Sequence, residues 1–252
     1  DKAYLSCGFG VAVFDLTSRE FVNTWTPADR ATLAIYGLAY HQGAWWAATG
    51  QGLYRASADA PNLDNPASWE QVMAFADPGR KVTSVVSHAN HLVYSVSQES
   101  NLQQVYYMSQ GGAVGLLLEA RVKALEKSRG GAGASRLYVC GGDRIYMYDE
   151  QMRQLGEVDD YTGQPRPQAL YSDEQGHLWI GDNGAGMVHY HQGAGESIVY
   201  NGPSSDQAFA LKGHEDQIVG LPGGYDEQDE PLSRTAALYR FGGQRWSNQP
   251  FD

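Results

Sequence analysis

Cysteine is nearly absent: Cys7 and Cys140 are the only two in 252 residues. A disulfide-stapled framework is thereby excluded, and the chain must be held together by packing. Cations are also scarce, 18 Lys and Arg against 29 Asp and Glu for a formal net charge of −11. Nucleic acid and anionic membrane surfaces are bound by clustered cations that neutralise phosphates, so neither is an expected partner. No stretch approaches the ~18 apolar residues that cross a bilayer as a helix, and no membrane span is expected. Catalytic signatures are missing as well. There is no Gly-x-Ser-x-Gly and no His-Glu-x-x-His. The glycine-rich residues 130–135 (GGAGAS) lie between two strands, with no following helix to present amides to a phosphate. The sequence therefore predicts no catalytic residues, no cofactor and no enzyme. A paired-carboxylate glycosidase built from Asp159, Asp160 and Asp226 is the enzymatic alternative. The chain begins at Asp1 without a targeting segment, so the compartment is not legible from one.

What the chain does contain is glycine and aromatic residues, with 30 Gly, 16 Tyr, 6 Trp and a hydrophobic content of 42%. That composition suits half-buried pleated strands joined by many turns. Residues 167–201 show how they are arranged: four short β-prone runs, at 168–171, 177–181, 187–191 and 197–200, are separated by SDEQG, DNGAG and QGAGE. Gly, Asn and Asp in the gaps supply the positive φ angles and capped turns of tight antiparallel connections. The direct reading is a four-stranded meander, one propeller blade.

The pattern repeats. Aligned on the turn after the second strand, Gly8, Gly50, Ser97, Gly141, Gly181 and Gly220 recur at intervals of roughly 40 to 47 residues, the usual length of a four-stranded blade. The predicted fold is all-β, a β-propeller of four-stranded antiparallel blades, with about six represented and the whole of residues 1–252 assigned to it. Five blades are complete, beginning near Ile35, Val82, Val122, Gln168 and Ala208. The first has only a second, third and fourth strand, for roughly 23 strands in all. Residues 121–131 (RVKALEKSRGG) have helical propensity, but their place in the period predicts a strand. Cys7 and Cys140 close the second strand of blades three apart, beyond the ~7 Å limit for a disulfide, and are expected to be free thiols. Successive strand residues face opposite sides, so one of Trp45 and Trp46 is predicted buried, and Trp179, at the equivalent position, is predicted buried too.

Topology sorts the loops onto two faces. Second-to-third turns and inter-blade links share one face, which receives the long loops 73–81, 158–168, 201–207 and 222–233; the insertion 56–68 lies on the other. Long loops on a rigid scaffold are where binding concentrates. The candidate binding residues are accordingly Tyr161 and Arg166 in one link, Asp182 and Asn183 in a second-to-third turn, and Tyr225 and Asp226 in the loop 222–233 (PGGYDEQDEPLS). That last loop is expected to contact a partner. His189 and His191 alternate in a strand, point the same way and are weighed as metal ligands. Other blades carry polar residues there (Arg55, Arg240), and the sequence places no carboxylate or Cys to complete a site, so no metal is expected. Residues 182–186 (DNGAG) and 225–230 (YDEQDE) lack the regular spacing of a calcium loop and are assigned as solvated acidic turns.

The segments "DEQGHLWIGDNGAGMVHY" and "AYHQGAWWAATGQGLYRAS" resemble the two-component-regulator propeller repeat: Gly, any residue, Leu-Trp, an aliphatic, Gly-Thr, then Gly-Leu and an aromatic. Asp182 stands where Thr is usual, and Met187 replaces Leu. More narrowly, "KAYLSCGFGVAVFDLTSREFVNTW", "AATGQGLYRASADAPNLDNPASWEQV" and "RIYMYDE" resemble the PorZ family of type IX secretion surface proteins. Members are larger, with two propellers and a C-terminal β-sandwich, so the resemblance implies that this chain is a portion of such a protein. It also implies a non-enzymatic role on the outer face of the outer membrane, with PorU, PorV and PorQ as partners and anionic lipopolysaccharide as ligand. The broader repeat implies a different role, an extracytoplasmic or periplasmic propeller of a hybrid two-component regulator that senses oligosaccharide. A ligand bearing phosphate meets a chain of net charge −11 only where Arg80, Lys81 and Arg166 form a local patch or a divalent cation bridges.

Overall fold

A computed structural model describes the chain except for residues 29–32, 73–79, 99–100, 129–134, 199–200, 204–207, 215 and 252. Most of the loop 73–81, the glycine-rich stretch 130–135 and half of the link 201–207 thus lie outside the described residues. Among those described, the chain forms β-strands and one short 3-10 turn, Pro66–Ser68. Blade one is the three-stranded sheet β1 (Lys2–Cys7), β2 (Gly10–Asp15) and β3 (Glu20–Trp25). Blade two is β4 (Ile35–His41), β5 (Ala44–Thr49), β6 (Gly52–Ser57) and β7 (Glu70–Val72). Blade three is β8 (Val82–His88), β9 (His91–Ser97), β10 (Gln103–Met108) and β11 (Val114–Ala120). Blade four is β12 (Ala124–Lys127), β13 (Leu137–Cys140), β14 (Ile145–Tyr148) and β15 (Gln154–Val158). Blade five is β16 (Pro167–Ser172), β17 (Leu178–Asp182), β18 (Gly186–His191) and β19 (Ala194–Ile198), and the sixth sheet is β20 (Ala208–His214), β21 (Gln217–Pro222), β22 (Ala237–Gly242) and β23 (Arg245–Pro250). Every sheet is an antiparallel meander in chain order. Within the segment 121–131, Ala124–Lys127 form strand β12, as their place in the period predicts, and residues 129–131 lie outside the described residues.

Residues 1–198 form one compact unit and residues 199–252 another. In the first, the two-residue alternation of each strand divides its side chains between neighbouring blades. Ala47 joins Val11, Val13 and Trp25 between blades one and two, while its neighbours Trp46 and Ala48 join Val82, Leu92 and Tyr94 between blades two and three. Val93 then packs with Leu137 and Val139, and Tyr138 turns the other way to meet Leu178 and Ile180. Strand parity alone therefore builds a continuous series of inter-blade cores.

Turn chemistry fixes the strand ends. Gln42-Gly43 and Gln192-Gly193 both have positive φ (49° and 74°; 52° and 80°), the signature of a two-residue type I′ hairpin. This corrects the fourth run of blade five, which begins at Ala194 and not at Ser197, because the hairpin needs only two residues. A second device recurs at three different corners. In Asp149-Glu150-Gln151-Met152-Arg153, Asp173-Glu174-Gln175-Gly176-His177 and Asp226-Glu227-Gln228-Asp229-Glu230, the Asp Oδ1 accepts the amides of the third and fifth residues. The fourth residue takes positive φ, 63°, 82° and 61° respectively, and the backbone amide of the first donates to the carbonyl of the fifth.

In the second unit Tyr239 is the buried aromatic of the sheet. The Asn201 side chain ties onto the β22–β23 corner, accepting the Trp246 amide at 2.8 Å and donating to the Gln244 carbonyl at 2.9 Å.

Candidate functional site

The turn at Asp173 joins β16 to β17 and leaves its carboxylate with one acceptor site of about four to spare. Oδ1 is held by the amides of Gln175 and His177 at 3.0 and 2.9 Å. Oδ2 accepts the Trp179 indole N–H at 2.9 Å and lies 3.5 Å from His177 Nδ1. Across the sheet, register pairs Trp179 with His189, and the two rings stack with centroids 4.4 Å apart. His189 Nε2 is 3.1 Å from His177 Nδ1, and His191, two residues on and on the same face, meets His177 edge to face at 4.3 Å. Three histidines, a tryptophan and an aspartate thus converge on the face of blade five opposite to Leu178 and Ile180. Donor atoms of Asp173, His177 and His189 all lie within 4.8 Å of one another, and all three residues are partly exposed. Burial pushes the Asp173 carboxyl up, but the Trp179 indole, the His177 amide and the His177 ring outweigh it and hold it below the usual carboxylate range.

The opposite end of β17 carries four of the sequence-predicted residues, and the structure brings them together for another purpose. Asp182 is buried; its Oδ1 accepts the amides of Gly184 and Ala185 at 2.7 and 2.9 Å, and its Oδ2 accepts the Tyr161 hydroxyl at 2.8 Å and the Arg166 amide at 2.6 Å. These donors overcome the penalty of burial and keep the carboxyl ionised below its ordinary range. Tyr161 is buried with it, its hydroxyl pushed strongly up by burial and then by the neighbouring carboxylate. Thr49 performs a smaller version of this task in blade two, donating to the Gly52 carbonyl and accepting the Gln51 amide. Asp182 therefore replaces the usual threonine as a turn cap and also clasps the link from blade four. Arg166 and Asn183 keep exposed side chains there.

Tyr225 and Asp226 lie in the second unit. Asp226 closes its five-residue turn, Tyr225 bridges to Pro231, and the Tyr225 ring packs against Phe209 at 5.6 Å while staying 58% exposed. Arg80 donates to the Ser97 carbonyl at 2.8 Å, and Lys81 Nζ sits 4.1 Å over the Tyr36 ring.

Two expectations are corrected: residues 182–186 are no solvated acidic turn, because Asp182 is buried by the four donors it accepts, and Trp179 is not buried. Trp46 is buried and Trp45 only half-buried, as alternation predicts, but Trp179 is half-buried where burial was expected. The reason is local: Trp46 packs among Val82, Val85 and Leu92, whereas Trp179 is surrounded by imidazoles and a carboxylate. Strand alternation finds His189 and His191 but misses their partners. Asp173 and His177 arrive through the closed geometry of the turn, and the readable signal was the thrice-repeated Asp-Glu-Gln with a histidine at the fifth position of one copy. Both cysteines are free. Burial pushes the Cys140 thiol up to about 12, which leaves it protonated and unreactive at neutral pH.

Residues 1–70 match the family model described as the N-terminal β-propeller domain of PorZ of the type IX secretion system. No curated protein matches the sequence. Among solved structures, PorZ from Porphyromonas gingivalis, an essential bacterial surface component of the type IX secretion system, superposes with a TM-score of 0.72 at 16% identity, covering 99% of this chain and 32% of that one. The extracellular domain of a putative hybrid two-component system from B. thetaiotaomicron gives 0.57 at 11% identity, covering 100% and 31%. A Bacteroides caccae protein of unknown function gives 0.51 at 12% identity, covering 98% and 94%. At such identities the likeness is one of fold, that of a β-propeller. The chain spans about a third of the length of the first two structures.

Proposed function

We propose that this chain is a propeller portion of a PorZ-like surface component of the type IX secretion system, a rigid non-enzymatic scaffold that binds protein partners and anionic lipopolysaccharide. The observation that carries the reading is the match of residues 1–70 to the PorZ N-terminal propeller family. The superposition on PorZ over nearly the whole chain, better than that on the two-component sensor, supports it. On this reading the protein works at the cell surface, on the outer face of the outer membrane, and its partners are PorU, PorV and PorQ. The 252 residues supply five complete blades and three strands of another. Exposed Arg166 and Asn183 on one loop face and Tyr225 on the loop 222–233 are the contact residues. Tyr161, Asp182 and Asp226 hold those loops in shape.

The test is direct binding of the chain to purified PorU, PorV and PorQ and to lipopolysaccharide from the same organism. Saturable binding to a Por protein, weakened by replacing residues 223–230 with a short Gly-Ser turn, is the expected result. Absence of binding to every Por protein and to lipopolysaccharide overturns the reading. The hybrid two-component likeness supports a second reading, an oligosaccharide sensor on the periplasmic side. It predicts binding to neutral oligosaccharides in place of the Por proteins.

A further inference from the structure

We propose that Asp173, His177 and His189 form a binding site for a divalent transition-metal ion of the zinc type. Geometry comes first. Donors 2.0–2.1 Å from a tetrahedral ion are ~3.3 Å apart, and the separations here are 3.1 Å between His189 Nε2 and His177 Nδ1 and 3.5 Å between His177 Nδ1 and Asp173 Oδ2. Two of the three donor pairs already stand near that separation, and the third lies within 4.8 Å. The donor set, two imidazoles and one carboxylate, suits zinc and its neighbours better than calcium or magnesium, which select all-oxygen sites.

Preorganisation comes second. A good metal site fixes its ligands through an outer shell. Two amides anchor Asp173 Oδ1, the Trp179 N–H orients Oδ2, and the Trp179 ring lies flat against His189. Without an ion, the 3.1 Å contact between the two imidazoles holds one shared hydrogen. Coordination needs both of those nitrogens bare, so the ion takes the place of that hydrogen between the two rings. Three protein ligands leave a fourth position for water or an external donor, and the partial exposure of all three residues gives the ion a way in.

The Asp149 turn is an internal control. It has the same Asp-Glu-Gln fold, but Arg153 stands where His177 does and donates from Nε to Asp149 Oδ2 at 2.7 Å. There the cation is covalently part of the chain. In blade five the equivalent oxygen accepts the neutral Trp179 indole N–H and lies 3.5 Å from His177 Nδ1, with the His189 donor within 4.8 Å. The inference does not depend on the secretion reading.

The experiment uses the untagged chain, stripped with EDTA, and titration calorimetry with Zn2+, followed by the visible absorption of the Co2+ form. One ion per chain is expected, with a Co2+ spectrum of tetrahedral type. His177→Gln and His189→Gln should each weaken binding by about 100-fold or more, and Trp179→Phe by about 10- to 100-fold as an outer-shell change. Asp149→Asn and His91→Gln should bind as the unaltered chain does. Melting in EDTA separates lost binding from lost folding, since His189→Gln should melt as the unaltered protein does. Equal affinity in the unaltered chain and in the doubly substituted His177→Gln/His189→Gln chain would overturn the proposal and leave a hydrogen-bonded histidine stack.

Discussion

At one end of β17 Asp182 accepts four hydrogen bonds and is buried, while at the other Asp173 anchors one oxygen with two amides and leaves the second beside an indole and an imidazole. The residue type is the same and the two turns flank one strand, yet the two carboxylates have different capacities left over. A carboxylate offers about four acceptor sites. Asp182 spends all of them on its own chain, so it can recognise nothing else, whereas Asp173 retains capacity directed at two ring nitrogens. Saturation by internal donors is thus what separates a structural acid from a binding one in this blade, and exposure runs the same way, with Asp182 buried and Asp173 partly exposed.

The largest expected effect comes from the saturated end. Asp182→Ala leaves the Tyr161 hydroxyl and the amides of Arg166, Gly184 and Ala185 without their acceptor, and at ~1–3 kcal/mol per buried orphan, not additively, the cost should be about 3 kcal/mol or more. Urea unfolding would measure it; a loss below about 1 kcal/mol would mean that water replaces the carboxylate and that the contrast between the two ends is weaker than drawn. Next come the paired turns. Asp173→Ala and Asp149→Ala each remove an acceptor shared by two amides, much as losing an N-cap does, and each should cost ~0.5–2 kcal/mol. Zn2+ should then raise the melting temperature of the unaltered chain and of Asp149→Ala, but not that of Asp173→Ala.

Much of this was legible in the sequence, for a physical reason. Alternation and turn glycines are local, so the blade starts at Ile35, Val82 and Ala208 coincide with strands β4, β8 and β20. Residues such as Ala47 and Trp46 follow from parity alone. The misplaced start of β19 and the misjudged Trp179 share another cause, since each depends on what a neighbour supplies. A two-residue positive-φ turn displaced the first, and a polar cluster from strand β18 surrounds the second. The candidate site was half-visible in the same way. His189 and His191 follow from strand period, whereas Asp173 and His177 reach them only through a turn closed by side-chain hydrogen bonds and through the pairing of Trp179 with His189.

Acid should separate the carboxylates from the histidines. Asp149, Asp173 and Asp182 are all held below their ordinary value in the folded chain. Each contributes stability that is present above the unfolded value near 3.9 and is lost as pH falls through the lower folded value. His88 and His41 are lowered mainly by burial. Their contribution is present above the unfolded value near 6.5 and begins to fade below it. Melting in EDTA should therefore decline gently from about pH 6.5 and more steeply below about pH 4. Asp182→Asn should flatten the second decline and leave the first unchanged. A single decline, insensitive to that substitution, would remove the electrostatic part of the Asp182 clasp.

The smallest effect is expected from Arg153→Ala, and it bears most directly on what distinguishes the two Asp-Glu-Gln turns. The Arg153 side chain is 76% exposed, so solvent already screens the pair, and such surface bridges are worth ~0.2–1 kcal/mol. The backbone of the turn needs only Asp149 Oδ1, which keeps its two amides, so the fold should hold with a loss near the low end of that range. The substitution frees Asp149 Oδ2 and leaves this carboxylate less occupied than that of Asp173, whose Oδ2 accepts the Trp179 indole, and without imidazoles beside it. If an unspent carboxylate on this turn were enough for metal binding, the variant would take up a second zinc ion. If the two histidines are needed, as the geometry of blade five argues, calorimetry should still count one ion per chain, with unchanged affinity.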